Sequence, residues 1–261
     1  MMKWEFWINL KKYRTRFIVK GSGEPLVLLH GLGSSLETWK NNLDYFAKYF
    51  RTYAFDMIGF GLADKPKIRY RLDVFAEFLK EFLRALKIEK TNLIGSSLGG
   101  LIALWFSINN QEMVRKLVIE ASPGFEVGAG NTIKKYMGDW WTIEKLKKFY
   151  DFIYYRPIID DKTLISRFKM FNTPEAKYSY KSTLEMPKDW KDLSKRLKNF
   201  KKPTLIIWGK EDKLIPVKHA YEFRKLMENL ELIIFDETGH VPHAEKPKEF
   251  NRAVINFLAK L

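Results

Sequence analysis

The chain is predicted to be an α/β protein with a mainly parallel central sheet flanked by helices and interrupted by one helical insertion. Near-continuous apolar runs occur at Pro25 to Leu29, Thr52 to Phe55, Asn92 to Ile94, Leu117 to Ile119, Thr204 to Trp208 and Leu232 to Phe235, and such runs suit strands buried on both faces. Between them lie amphipathic patterns: Leu72, Phe75, Phe78, Leu79, Phe82, Leu83 and Leu86 recur at helical spacing, with Glu77, Lys80, Glu81 and Arg84 on the opposite side. Phe250, Val254, Phe257 and Leu258 repeat the pattern near the C-terminus. Strands alternating with helices imply right-handed crossovers, and ligands then bind beyond the carboxyl ends of the strands. Ahead of the first run, Trp4, Phe6, Ile8 and Leu10 alternate with Glu5, Trp7 and Asn9, and Phe17 to Lys20 precedes a Gly21-Ser22-Gly23 turn, so the chain opens on a hairpin. From about Gly124 to Lys195 no buried strand is legible, and aromatics such as Trp140, Trp141, Phe149, Tyr150, Phe171 and Tyr180 lie among basic residues. The expected division is a core of 1–123 and 196–261 around a helical insertion of 124–195, whose aromatics form a small second core.

Composition excludes several kinds of chemistry. The 261 residues are 46% hydrophobic and 15% aromatic, enough for a large core. The longest apolar stretch, Leu101 to Phe106, is too short for a bilayer, and no apolar leader opens the chain, so a soluble cytoplasmic protein is expected. Without cysteine there are no disulfides, thiolate nucleophiles or zinc-thiolate sites. The histidines are His30, His219, His240 and His243, and the closest pair sits in a Pro-containing loop without metal-ligand spacing, so no metal or other cofactor is expected. The net charge of +15 comes from lysines spread along the chain and interleaved with glutamate, and Gln111 is the only glutamine. That pattern reads as the charged surface of a heat-adapted protein rather than a nucleic-acid interface, for which no recognition motif is present.

The informative motif is Gly95-Ser96-Ser97-Leu98-Gly99, which follows the run Thr91 to Ile94 and opens into an apolar helical segment. A strand, a sharp turn and a helix in that order form a nucleophile elbow, with Ser97 at the apex. A serine hydroxyl reacts only when a base takes its proton and fixed donors meet the developing oxyanion. The Leu98 N–H, at the positive end of the helix dipole, supplies one donor. His30-Gly31-Leu32-Gly33 follows the strand Pro25 to Leu29, and the Leu32 N–H supplies the second; His30 itself is read as a structural residue bonded to its loop. Asp212 follows the strand ending in Trp208-Gly209, and His240 follows Gly239 after the last strand, so the order is Ser, Asp, His. Glu211 and Glu120 are alternatives for the acid and His243 for the base, while His219, in the helical stretch Val217 to Met227, is read as a surface residue.

With Asp56-Met57-Ile58-Gly59-Phe60-Gly61, and with Glu245 and Pro247 after His240-Val241-Pro242, these landmarks resemble the α/β-hydrolase superfamily over nearly the whole chain. The resemblance implies that the insertion is a cap over the active site. It also implies an esterase, lipase or related acyl hydrolase, since dehalogenases and epoxide hydrolases carry aspartate at the position of Ser97. Two departures stand out: Ala63 replaces a frequent serine, and Val241-Pro242-His243 replaces the tryptophan-containing loop of carbon-carbon bond hydrolases. The expected activity is therefore a serine carboxylesterase acting on short- to medium-chain esters through an acyl-enzyme on Ser97. Its partner is a small-molecule ester, with no nucleic acid and no stable membrane insertion. The alternatives are a carbon-carbon hydrolase of vinylogous diketones, a non-catalytic ligand-binding protein, and an enzyme whose basic surface docks an acidic acyl carrier.

Overall fold

The first five apolar runs fold as inner strands of a single sheet, and the last, Leu232 to Phe235, as a half-buried edge strand, in the computed structural model, which describes residues 5–123, 129–137, 142–157, 159–186 and 193–260. Its strands are β1 (Glu5–Asn9), β2 (Arg14–Lys20), β3 (Pro25–Leu29), β4 (Arg51–Phe55), β5 (Thr91–Ser96), β6 (Val114–Glu120), β7 (Thr204–Gly209) and β8 (Leu230–Phe235). They lie in the order β1-β2-β4-β3-β5-β6-β7-β8. The opening hairpin is present, with Phe6 opposite Phe17 and Ile8 opposite Thr15, and β2 pairs antiparallel with β4. From β4 across to β8 every pairing is parallel. Because the chain runs from β3 outward to β4 and then crosses back to β5, the connections diverge between β3 and β5, and a crevice opens there at the carboxyl ends of the strands.

The helices are α1 (Leu43–Phe46), α2 (Leu72–Ala85), α3 (Leu98–Asn109), α4 (Ala129–Met137), α5 (Ile143–Ile153), α6 (Asp161–Phe171), α7 (Pro174–Leu184), α8 (Leu193–Leu197), α9 (Lys218–Leu226), α10 (Pro242–Glu245) and α11 (Pro247–Leu258). Strand side chains alternate between the two faces of the sheet and seed separate cores. Val27, Leu29, Phe55 and Leu93 pack with α2 and α3, whereas Leu26, Leu28, Ile94 and Val118 pack with α11. The helices α4 to α8 all stand between β6 and β7 in the chain. Trp4, Trp140, Trp141 and the boundary expected at Gly124 lie outside the described residues. Among the described residues no helix is long and apolar enough to cross a membrane.

Gly99, in the first turn of α3, shows how tightly that helix sits on the sheet. A Cβ there would lie 2.4 Å from the Leu29 carbonyl oxygen and 2.5 Å from that of His30. Helix propensity alone favours alanine over glycine by about 1 kcal/mol. Overpacking against main chain that cannot swing aside costs up to about 3 kcal/mol and outweighs it. Gly99→Ala should therefore lower the urea midpoint of unfolding; an unchanged or raised midpoint would show that α3 can lift off the sheet without cost.

Candidate active site

Ser97 follows β5 and caps α3 with φ 53° and ψ −118°, a positive-φ conformation that strains any residue with a side chain. The strain is held by packing on both sides of the turn, since Gly99 abuts the ends of β3 and the Ser97 N–H donates to the Glu120 carbonyl at 2.8 Å. Its hydroxyl is thereby held at the crevice. The loop after β3 faces it: a Cβ on Gly31 would come within 3.3 Å of Ser97 Cβ. Leu98 is the first residue of α3, where backbone N–H groups have no intrahelical partner. Leu32, from the β3 loop, lines the same cavity as Ser97.

His240 Nε2 lies 3.0 Å from Ser97 Oγ, and His240 Nδ1 lies 2.8 Å from Asp212 Oδ2. The other Asp212 oxygen, Oδ1, accepts the N–H groups of Leu214 and Ile215, both at 2.9 Å, so the carboxylate is fixed before it meets the imidazole. Asp212 and His240 are both buried. Burial disfavours charge on the imidazole, yet attraction and hydrogen bonding to Asp212, with the charges of Glu120 and Glu245 beside them, outweigh it, and the pKa of His240 is raised above 6.5. With Nδ1–H directed at the carboxylate, Nε2 is free to accept the Ser97 proton. Hydroxyl, imidazole and carboxylate in this order can generate an alkoxide-like nucleophile without a cofactor.

The alternatives for base and acid are engaged elsewhere. Glu211 accepts the Thr238 N–H at 2.9 Å and so closes the loop after β7. Glu120 pairs with His243, whose Nδ1 and backbone N–H both lie 2.6 Å from its carboxylate oxygens. His30 bonds its own loop, as the sequence suggested: Nδ1 donates to the Gly31 carbonyl at 2.8 Å, Nε2 accepts the Met57 N–H at 3.0 Å, and burial lowers its pKa. His219 departs from expectation. It is buried rather than exposed, because Glu222 one turn along α9 lies 2.6 Å from Nδ1 and satisfies the ring away from water.

Helices that stand between β6 and β7 in the chain border the crevice. Tyr150, Ile153 and Tyr154 from α5 and its end, with Phe171 and Tyr180 from α6 and α7, line the cavity that contains Ser97 and His240. A seam joins this border to the histidine loop: the His240 N–H donates to the Ile153 carbonyl at 2.7 Å. Beside it, Glu245 accepts the N–H groups of Tyr155 at 2.8 Å and of Gly239 and Val241 at 3.1 Å. One cation lines the cavity among the described residues, the partly buried Arg167 of α6. Its guanidinium carbon sits 5.1 Å from the centre of the Tyr150 ring. Burial opposes its charge, but the hydroxyl groups of Tyr150 and Tyr154 outweigh burial and raise its pKa, and among the described residues no carboxylate forms an ion pair with it. The residue types do carry a signal for it, since Leu164, Phe168 and Phe171 form an apolar stripe and Arg167 stands within it at helical spacing.

A family model described as alpha/beta hydrolase fold matches residues 24–149 and 160–247. The chain belongs to the alpha/beta hydrolase fold family. This alpha/beta hydrolase is 29% identical to a 2-hydroxy-6-oxo-6-(2'-aminophenyl)hexa-2,4-dienoic acid hydrolase of Metapseudomonas resinovorans, over 98% of this chain and 91% of that protein. It is 31% identical to a 2-hydroxy-6-oxononadienedioate/2-hydroxy-6-oxononatrienedioate hydrolase of Paraburkholderia xenovorans, over 90% of this chain and 87% of that one. Among solved structures it resembles a serine hydrolase involved in carbazole degradation, with a TM-score of 0.86, 29% identity and 98% of each chain covered. These relatives overturn the carboxylesterase expectation, because they are named as hydrolases of oxo-dienoates and not of carboxylic esters. The physical reason is plain. A serine, an imidazole and a carboxylate serve acyl transfer whatever atom leaves, so the local motifs do not distinguish the two reactions. The loss of tryptophan at Val241-Pro242-His243 therefore carried more weight in the sequence reading than it deserved.

Proposed function

We propose that this protein is a carbon-carbon bond hydrolase of 2-hydroxy-6-oxo-dienoates. Ser97 is the nucleophile, His240 the base, Asp212 the residue that orients it, and the Leu32 and Leu98 N–H groups the oxyanion donors. The observation that carries this reading is the presence of one cavity in which the hydroxyl–imidazole–carboxylate line meets a guanidinium. A dienoate carries a carboxylate at the end remote from its ketone, and Arg167 suits it as a charge-assisted donor pair. Full-length similarity to enzymes named for such substrates supports the same reading.

In this scheme the 2-hydroxyl proton first moves to carbon 5, giving a 2-oxo-3-enoate whose carbon 5 is saturated, and Ser97 Oγ then attacks the ketone at carbon 6 as its proton passes to His240. The bond between carbons 5 and 6 then breaks. Its electron pair is taken up through the carbon 3–carbon 4 double bond by the oxygen on carbon 2, and His240 returns its proton to that oxygen. Water, activated by the same imidazole, releases the acid from Ser97. The products are a carboxylic acid and a 2-hydroxypenta-2,4-dienoate. The apolar and aromatic wall of Leu146, Phe149 and Ile153 suits an uncharged substituent on carbon 6.

The test is loss of the dienoate absorbance on mixing enzyme with 2-hydroxy-6-oxohepta-2,4-dienoate, with both products identified by mass. No turnover of this compound or of its 6-phenyl analogue would refute the assignment. Arg167→Met should lower kcat/KM for the dienoate about a hundredfold, most of it in KM, because an ionic hydrogen-bonding pair is lost from a partly buried site. Equal kinetics in the variant would remove Arg167 from substrate recognition.

A further inference from the structure

The cavity holds a second line of hydroxyl, imidazole and carboxylate that the proposed chemistry does not use. Glu120, at the end of β6, is fully buried and His243 is 1% exposed. A carboxylate only accepts, so Glu120 Oε2 at 2.6 Å places the ring proton on His243 Nδ1. Nε2 is left as the acceptor of the ring and lies 2.9 Å from Thr38 Oγ1, so the Thr38 hydroxyl donates to it. Trp39 stacks on the imidazole at 4.2 Å and holds its plane. The short turn that carries Thr38 is itself anchored: the Leu36 N–H donates to Asp56 Oδ1 at 2.8 Å, and Glu37 pairs with Arg16 at 2.7 Å.

Thr38 and His243 line the same cavity as Ser97 and His240. Thr38 does not share the positive φ of Ser97 and stands on no elbow, so it is not a second nucleophile. Its hydroxyl proton is committed to His243, and what it turns toward the cavity is therefore a lone pair. This complements Arg167, which can only donate. The substrates of the relatives carry, besides a carboxylate and a ketone, one group common to both names that donates a neutral hydrogen bond, the 2-hydroxyl.

We infer that Thr38, oriented by His243 and Glu120, accepts the hydrogen bond of the substrate 2-hydroxyl and thereby selects 2-hydroxylated dienoates. The inference rests on the dienoate reading given above. The contact is made as the substrate binds, before the 2-hydroxyl gives up its proton, so an acceptor that fixes this O–H bears on how the conjugated chain is presented to Ser97.

Binding can be separated from turnover in a Ser97→Ala background, by titrating 2-hydroxy-6-oxohepta-2,4-dienoate and its 2-methoxy ether and following their absorbance. Adding Thr38→Val should weaken binding of the hydroxy compound about tenfold, the loss of one hydrogen bond, and change binding of the ether less than about twofold. Thr38→Ser, which keeps the hydroxyl, should restore binding of the hydroxy compound, a rescue that a merely structural role for the methyl group would not produce. Equal weakening of both ligands, or of neither, overturns the inference while leaving the hydrolase assignment intact. Failure of the unmodified enzyme to turn over the dienoate overturns the assignment and this inference with it.

Discussion

Ser97→Ala is expected to lower kcat for a 2-hydroxy-6-oxo-dienoate by a factor on the order of 10⁴ to 10⁶ while the protein still folds and still binds the compound. The size follows from what the hydroxyl does. It is held 3.0 Å from His240 Nε2 on a turn whose φ is 53°, and no other side chain occupies that apex. Folding should survive, because a hydroxyl at the cavity wall is exchanged for hydrogen without emptying the core. Alanine at the same φ is as strained as serine, so stability should move little. Stopped-flow absorbance gives the rate, and thermal unfolding gives the control. Near-normal turnover in a well-folded variant would mean that the bond is broken without covalent attack by Ser97, and the scheme would have to be rebuilt around water.

Asp212→Asn should cost about 10⁴ in kcat and should also move the pH profile. Asparagine can offer an N–H where the carboxylate accepted one, which turns the His240 ring toward the wrong tautomer. The pH argument has a definite sign. His240 works as a base only when neutral, and its pKa in the intact protein lies above 6.5 because Asp212, with Glu120 and Glu245, outweighs burial. The acid limb of kcat/KM should thus have its midpoint above 6.5, with activity falling as the pH falls through it. In the variant the largest attraction is gone, the smaller ones of Glu120 and Glu245 stay and burial remains, so the residual activity should have a lower midpoint. Stability runs the other way. A folded-state pKa raised above the unfolded one makes the contribution of the His240–Asp212 pair complete below about pH 6.5 and lost as the pH rises through the folded value. An acid limb that stays in place in Asp212→Asn would detach it from His240.

Legibility in the sequence differed from element to element for physical reasons. Runs such as Thr204 to Trp208 announce themselves because a strand covered on both faces has no polar side to show. The elbow was legible because its strain and close packing restrict residue types over five consecutive positions, and Asp212 and His240 because each follows a strand end. His219 was misread because its burial depends on Glu222 closing over it, which periodicity does not report. The identity of the scissile bond was misread because the motif serves both reactions, and the groups that bear on the choice come from distant segments. Arg167 is brought to Ser97 by α6, and Thr38 to His243 across 205 positions of chain.

By itself, then, the sequence determined an α/β sheet with a nucleophile elbow and residues able to complete it, since burial and backbone strain act locally and leave periodic or contiguous marks. Tertiary structure decided between the acids and histidines that the sequence left as alternatives. It sent Asp212 to His240 and Glu120 to His243 at separations of 2.8 and 2.6 Å. It also decided that a guanidinium and a threonine oxygen share the cavity of Ser97. Hydrogen bonds and charges act over a few ångströms in space irrespective of distance along the chain, so their partners exist only once the strands have been set side by side.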